Sequence, residues 1–299
     1  MGRTAALRFV RVAEGGERWF GVARPDGSVA RFVAAPFDDY VELALQARAA
    51  GAAISAFAAP WIASATIVQP TFADLDRPPG DAPHLVTPYD PPEIWGAAFT
   101  YDTRAPEPLP EDDFLRQRRS QRVVIFFKTT PLRAVGPNDA LGSRGDATMM
   151  IPEPEVGVVL DGDGAVLGYT VVNDISSRDL PREEPLYVAY SKTFTHCVSF
   201  GPCVVPPECA PDDGHWTVRC RVEQGGVTTW DETNTTRRRY RTWEELKRAL
   251  LDHNQVHPGT LYATGTVLTP PQTMHVREGD RLEVTVEGIG RLANPVLDV

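Results

Sequence analysis

Lysine is nearly missing from this chain. Of 30 basic residues only three are lysines, Lys128, Lys192 and Lys247, and the rest are arginines. Arginine keeps its proton under ordinary conditions, whereas a buried lysine can give its proton up, so each retained lysine is a candidate for chemistry. Lys247 falls on the polar face of a helical stretch, while Lys128 and Lys192 sit in the apolar contexts VVIFFK and VAYSKTF. Cysteine is scarce as well. Cys197, Cys203, Cys209 and Cys220 show no C-x-x-C spacing, and in a chain of this size they read most simply as reduced thiols in a cytoplasmic protein. Positive charge is also in deficit. A formal net charge of −10 argues against a nucleic-acid partner, and the one basic run, Arg237 to Arg239 with Arg241, reads as a solvated surface. No apolar run is long enough to span a bilayer, and MGRTAALRFV lacks the apolar core of a signal peptide, so no membrane partner is expected. Met-Gly at the start does not make a myristoylation site, because Ala6 stands where Ser or Thr is needed.

What is present is ordinary globular material: 299 residues, 42% hydrophobic and 23% charged, enough for one large domain, or for one large domain plus a small one. ALRFVRVA, RWFGVAR and SVARFVA, punctuated by GG and PDG, predict a small strand meander. FDDYVELALQARAAGAA carries apolar residues at helical spacing, with Asp38 or Asp39 available as N-cap. A proline-rich stretch follows. From there strand patterns dominate (IWGAAFTY, VVIFFK, EVGVVL, VLGYTVV, SFGPCVV, WTVRCRVE, TLYATGTVL, RLEVTVEGIGRL). Only TWEELKRALLDHN reads strongly as a helix, with Thr242 as N-cap and Glu245 completing a capping box. The expected fold class is α+β: a small N-terminal α+β domain (1–75), a linker (76–92) and a larger β-rich domain (93–299).

One hairpin concentrates the chemistry. In IPEPEVGVVLDGDGAVLGYTVVNDISSRD, Glu153 and Glu155 are two apart and share a face. A turn centred on DGDG (161–164) would set Thr170 opposite Glu155 and Val172 opposite Glu153, with Asp174 just beyond on the same face. Three converging carboxylates repel one another unless a cation joins them. An all-oxygen donor set suits Mg²⁺, Mn²⁺ or Ca²⁺, and three protein ligands leave positions open for water and substrate. The plain alternative is that the two glutamates are outward polar residues of a half-exposed strand and Asp174 a turn residue.

EPEVGVVL, GYTVVNDISSRD, SKTF, FGP, ATGT and GIGRLANPV, in that order, resemble the signature of the fumarylacetoacetate hydrolase superfamily over about 93–299. The resemblance implies a mixed β-roll for that segment, Glu153, Glu155 and Asp174 as Mg²⁺ ligands, Lys192 as the active-site lysine, and a homodimer. Gly265 and Thr266 of ATGT resemble ligand-contacting positions, with strand-end hydrogen bonding as the alternative for Thr266. IFFKTTPLRAVGPND and EEPLYVAYSK are most similar to members that dehydrate 2-dehydro-3-deoxy-D-arabinonate to 2,5-dioxopentanoate. GAAFTYDTRAPEPLPEDDFLRQRR departs from the pattern, lacking the lid histidine common in hydrolytic and decarboxylating members.

The expected substrate is thus a small 2-oxo acid, chelated through its carboxylate and 2-oxo oxygens to a metal that stabilises the enolate. Lys192, near the metal charge and partly desolvated, is expected to have a lowered pKa and to act as base or enolate stabiliser, or else to be a permanent counter-ion. Lys128 would hold the substrate carboxylate or pair with an acidic neighbour, and Tyr101 and Arg104 would contact substrate. Arg178 and Asp179 are expected to make structural pairs, and His196 is the one histidine placed to matter. Two alternatives stand beside the dehydratase: C–C hydrolysis or decarboxylation of an acylpyruvate or 1,3-dicarbonyl compound, and a non-catalytic ligand-binding member.

Overall fold

The computed structural model describes residues 7–103 and 122–299. The N-terminal meander forms as its alternation predicts. Arg8–Glu14 and Glu17–Ala23 pair antiparallel from Arg8↔Ala23 to Glu14↔Glu17 across a Gly15-Gly16 turn with both φ angles positive. Val29–Arg31 and Thr66–Val68 extend it outward. On its inner side Arg8–Glu14 pairs with Val198–Val205 (Phe9↔Val204), so the meander continues into the central sheet. From there the order runs Val198–Val205, Val166–Asn173, Pro154–Leu160, Thr260–Ala263, Ile94–Ala98, Val124–Thr129. A second sheet runs Val227–Thr235, Thr217–Gln224, Arg281–Val286, Gly290–Asp298, Leu141–Ser143. Parallel pairs occur in both, Thr260–Ala263 with Ile94–Ala98 and Gly290–Asp298 with Leu141–Ser143. The mixed, sheet-rich α+β architecture expected from the sequence is therefore present. One core joins the sheets, with Val171, Phe200 and Val204 from the first and Val218, Val284 and Leu292 from the second.

The helix Tyr40–Ala49 is capped by Asp39, whose side chain accepts from Glu42 N. Tyr40 Oη donates to Leu167 O at 2.7 Å, docking the helix on the Val166–Asn173 strand. Trp243–Leu251 has the capping box of Thr242 and Glu245, and it buries Leu246 and Leu250. The helix Ile54–Ser64 was not foreseen, because Pro60 lies inside it and its apolar residues run without a polar face. Val227–Thr235 also escaped the sequence reading, since its side chains are mostly exposed and show no alternation.

The hairpin is buried along both strands, Pro154–Leu160 and Val166–Asn173, which rules out the half-exposed strand. Its register corrects the expectation by two residues. Glu155 lies opposite Val172 and Gly157 opposite Thr170, with an irregularity at Val159/Leu160. The turn is wider than DGDG: Asp161 N donates to Ala165 O, and Gly164 takes φ +80°. A two-residue shift preserves which face each side chain occupies. Its effect is to draw Asp174 level with Glu153, and Asp174 N donates to Glu153 O at 3.0 Å.

Candidate metal and active site

Glu153, Glu155 and Asp174 each offer a carboxylate oxygen, and these oxygens all lie within 4.8 Å of one another. Glu155 is 1% exposed and Asp174 fully buried, while Glu153 at the strand entrance is partly open. Burying three carboxylates together is costly unless positive charge compensates. Two lysines supply it. Lys192 Nζ donates to Glu153 Oε2 and, at 3.0 Å, to Asp174 Oδ2. Lys128 Nζ lies 2.5 Å from Asp174 Oδ1 and donates to Ile175 O at 3.0 Å. Asp174 is thus held on both oxygens by different ammonium groups.

The third carboxylate has a different partner. Glu155 Oε2 accepts from Gly265 N at 2.7 Å. Gly265 sits at φ +102°, and a Cβ there would lie 2.8 Å from Thr100 Oγ1, so both backbone angle and space call for glycine. This is why ATGT carries a glycine beside the cluster: the chain turns its amide onto a carboxylate. Ser176 adds a hydroxyl, 3.2 Å from Glu153 Oε2 and 3.4 Å from Asp174 Oδ1. The sequence reading passed over Ser176, although its place two residues after Asp174 in NDISSRD was a usable signal.

Electrostatics divide the three acids. Burial, then the charges of Asp174 and Glu153, push Glu155 well above the ordinary carboxylate range. Burial also pushes Asp174 upward, but Lys128 and Lys192 outweigh it and hold the carboxyl below its usual value. For Lys192, burial pulls the ammonium down, yet Asp174 and Glu153 prevail and raise it above the ordinary lysine range. With three carboxylates facing it, the ammonium is stabilised more than burial destabilises it; the expected lowering belongs to the state in which a metal's charge sits among those carboxylates.

A divalent cation fits this set. The donors are all hard oxygens, they converge from two neighbouring strands, and one buried acid, Glu155, has among the described residues a backbone amide as its only hydrogen-bond donor. Formally the five side chains carry one net negative charge. A divalent ion turns that into one positive charge, which an anionic substrate would neutralise.

The other candidate residues divide. Of the two roles open to Lys128, the structure shows the pairing with an acidic neighbour, and its side chain has no exposed surface with which to touch a substrate carboxylate. Tyr101 is at the site: its hydroxyl donates to Thr264 Oγ1 at 3.1 Å, and burial pushes its pKa up to about 12. Thr266 Oγ1 is engaged with Pro154 O and Leu268 O, the strand-end bonding foreseen as its alternative. Arg104 lies outside the described residues, as do Glu107, Glu111, Asp112 and Asp113 of the expected lid. His196 stays out of the cluster, and among the described residues no histidine joins it. Asp179 accepts from Thr148 N and Oγ1 and from Ser177 Oγ, bracing the strand end without pairing to Arg178. The arginine run divides: Arg237 and Arg239 are exposed as expected, and Arg238 and Arg241 are partly buried. Arg237 pairs with Asp213, Arg238 with Asp102 and Arg241 with Glu245, and Arg239 bridges by backbone to Tyr101. All four cysteines are free thiols.

The model of the fumarylacetoacetate (FAA) hydrolase C-terminal family matches residues 115–297. A probable 2-keto-3-deoxyxylonate dehydratase of Haloferax volcanii is 35% identical, over 98% of this chain and 100% of its own. The 2-dehydro-3-deoxy-D-arabinonate dehydratase of Saccharolobus solfataricus is 34% identical over 71% of this chain and 74% of its own. Among solved structures, a 2-keto-3-deoxy-D-arabinonate dehydratase complexed with magnesium and 2,5-dioxopentanoate superposes with a TM-score of 0.83 at 27% identity. That superposition covers 98% of this chain and 99% of the other. The signature read from the hairpin, the carboxylate cluster it builds and these likenesses agree: the chain belongs to the fumarylacetoacetate hydrolase family.

Proposed function

We propose that this protein is a Mg²⁺-dependent hydro-lyase that dehydrates a 2-dehydro-3-deoxy sugar acid, converting 2-dehydro-3-deoxy-D-arabinonate to 2,5-dioxopentanoate. The observation that carries the reading is the convergence of three carboxylate oxygens within 4.8 Å, with Lys192 Nζ bonded to two of the three side chains. The two dehydratase relatives, and the similar structure holding magnesium and 2,5-dioxopentanoate, support the substrate class. Mn²⁺ and Ca²⁺ suit the same donors.

Glu153, Glu155 and Asp174 would hold the metal. When bound, it supplies Lewis-acid polarisation of a substrate chelating through its carboxylate and 2-oxo oxygens. The protein's own groups account for the rest. Lys192 holds a proton at Nζ beside that position. Of its two foreseen catalytic roles, stabilising negative charge that develops on the 2-oxo oxygen suits its ammonium form, and taking the C3 proton suits its neutral form. Loss of the C3 proton and of the C4 hydroxyl removes one water. A proton shift from C5 then yields the aldehyde. Lys128 keeps Asp174 ionised and oriented from the buried side. Gly265 N–H orients Glu155, and Tyr101 closes the wall next to it.

Residues 93–299 supply every one of these groups, in keeping with a division of the chain at 75 and 92. A homodimer is part of the proposal, supported by the exposed apolar side chains Leu132, Leu186 and Tyr190. So is a cytoplasmic setting, supported by the free thiols. No helix of the described residues is long and apolar enough to cross a membrane. The test is to incubate purified protein and Mg²⁺ with 2-dehydro-3-deoxy-D-arabinonate and to trap the aldehyde product. Cleavage or decarboxylation of an acylpyruvate, with the sugar acid untouched, would replace this reading.

A further inference from the structure

The two lysines of the cluster each rest on the face of a phenylalanine, and the seats are exchanged. Lys192 Nζ lies 4.8 Å from the ring centroid of Phe126, and Lys128 Nζ lies 5.4 Å from that of Phe194. Phe126 stands two residues before Lys128, and Phe194 two residues after Lys192. The strand Val124–Thr129 thus carries one lysine and the other lysine's ring, while residues 192–194 do the converse. Thr193 Oγ1, between Lys192 and Phe194, donates to Lys128 O at 2.7 Å and ties the two segments together.

An ammonium within about 6 Å of a ring centroid is attracted to the negative face of the π system, most strongly where water is excluded. Both sites meet that condition, since the side chain of Lys128 is fully buried and that of Lys192 only 13% exposed. Phe126 has a dedicated seat as well. It lies directly opposite Gly96 on the neighbouring strand, and a Cβ at Gly96 would come within 2.4 Å of Phe126 Cζ. The missing Cβ leaves room for the tip of the ring over Gly96, with Lys192 over the ring. Both ammonium groups then close on one carboxylate, Lys128 on Oδ1 and Lys192 on Oδ2 of Asp174.

We propose that Phe126, seated on Gly96, and Phe194 form a reciprocal cation–π clasp that sets the spacing of the two lysines around Asp174. Phe126, Gly96 and Phe194 are accordingly positioning residues. The kinetic consequence rests on the proposed dehydratase function; the clasp itself does not.

Three lysines make the clasp directly observable. In protein labelled with ¹³C at lysine Cε, the Lys128 and Lys192 signals should be shifted upfield by the ring currents, with Lys247 as an internal reference. Phe126→Leu should return only the Lys192 signal toward the reference, Phe194→Leu only that of Lys128, and Gly96→Ala should move the Lys192 signal. A Lys192 signal unmoved by Phe126→Leu, or both lysine signals moving equally in either variant, overturns the clasp. With Mg²⁺ and the sugar acid, Phe126→Leu should lower kcat about tenfold and leave KM within about twofold, the loss of about one desolvated cation–π contact. Adding Gly96→Ala to Phe126→Leu should cost no more than about a further twofold, because both changes remove the same contact. A full second loss in the double variant, or a rise in KM with kcat unchanged, overturns the positioning role. Should the wild-type protein turn over no 2-oxo acid, the dehydratase reading fails, and the lysine signals still decide the clasp.

Discussion

The two ends of one hairpin carry similar side chains and meet opposite fates. At the turn end, Asp161 and Asp163 face the helix Tyr40–Ala49, where Arg48 bridges both. Asp163 is exposed, and its hydrogen bond with Arg48 lowers its pKa below the ordinary carboxylate value. At the other end, some seven residues of strand away, Glu155 is buried and pushed the opposite way. In water a carboxylate is stabilised by solvent and a partner adds little; under the sheet it depends wholly on what the protein places beside it. The turn end is a fastening. The far end is a buried acid cluster, in which three carboxylates share two lysines and one amide.

The sharpest way to break this contrast is to neutralise one acid at each end. Glu155→Gln should lower kcat/KM at least about a hundredfold, more than is typical for losing a group that only orients a metal ligand. Asp163→Asn should leave it within about twofold. Comparable losses in both variants, measured by steady-state kinetics on the sugar acid, would erase the distinction. Thermal denaturation gives the second readout. An ion that binds only the folded state adds about 2.7 kcal/mol at a hundred times its Kd, which is a rise of several degrees in Tm. Wild type and Asp163→Asn should show that rise with Mg²⁺, and Glu155→Gln should not.

A third acid sharpens the comparison through pH. Burial pushes Asp179 upward, but hydrogen bonds from Ser177 and Thr148 outweigh it and hold the carboxyl at about 2. Because the folded value lies below the unfolded one, the associated stability is complete above about pH 4 and fades as pH falls toward 2. Asp179→Asn should therefore unfold at lower denaturant than wild type at pH 7, with the gap narrowing as pH approaches 2. A gap independent of pH would mean that packing, not ionisation, is at stake. The smallest effect belongs to Arg48→Ala. A partly exposed ion pair is worth under about 1 kcal/mol, so the loss should be slight and should shrink further in high salt. A loss that survives 1 M salt would show that the turn end depends on more than charge.

Much of the site was legible because its three carboxylates are local to one hairpin. Alternation put Glu153 and Glu155 on one face, and the DG pairs marked the turn. The register came out two residues off because the loop opens to include Ala165 and an irregularity follows, and neither leaves a compositional trace. The capping box at Thr242 and the Asp39 cap were readable for the same reason, as contacts three residues apart. The short helix Val188–Lys192, whose last residue joins the carboxylate cluster, was not, since five residues are too few to show a helical period. The partners of Lys192 were hidden as well. Its apolar sequence neighbours suggested desolvation, whereas the charges facing it come from Asp174 and Glu153, 18 and 39 residues away.

Residue order alone, then, determined the strand-rich α+β class, the hairpin, and which acids share its face, because side-chain alternation and turn chemistry act over a few residues. Tertiary structure alone decided that Lys128 and Lys192 grip opposite oxygens of Asp174 and that Gly265 turns its amide onto Glu155. Those contacts join residues 46, 18 and 110 positions apart. They exist because strands distant in sequence are neighbours in the sheet, and because a buried charge is tolerated only where the fold brings its partner.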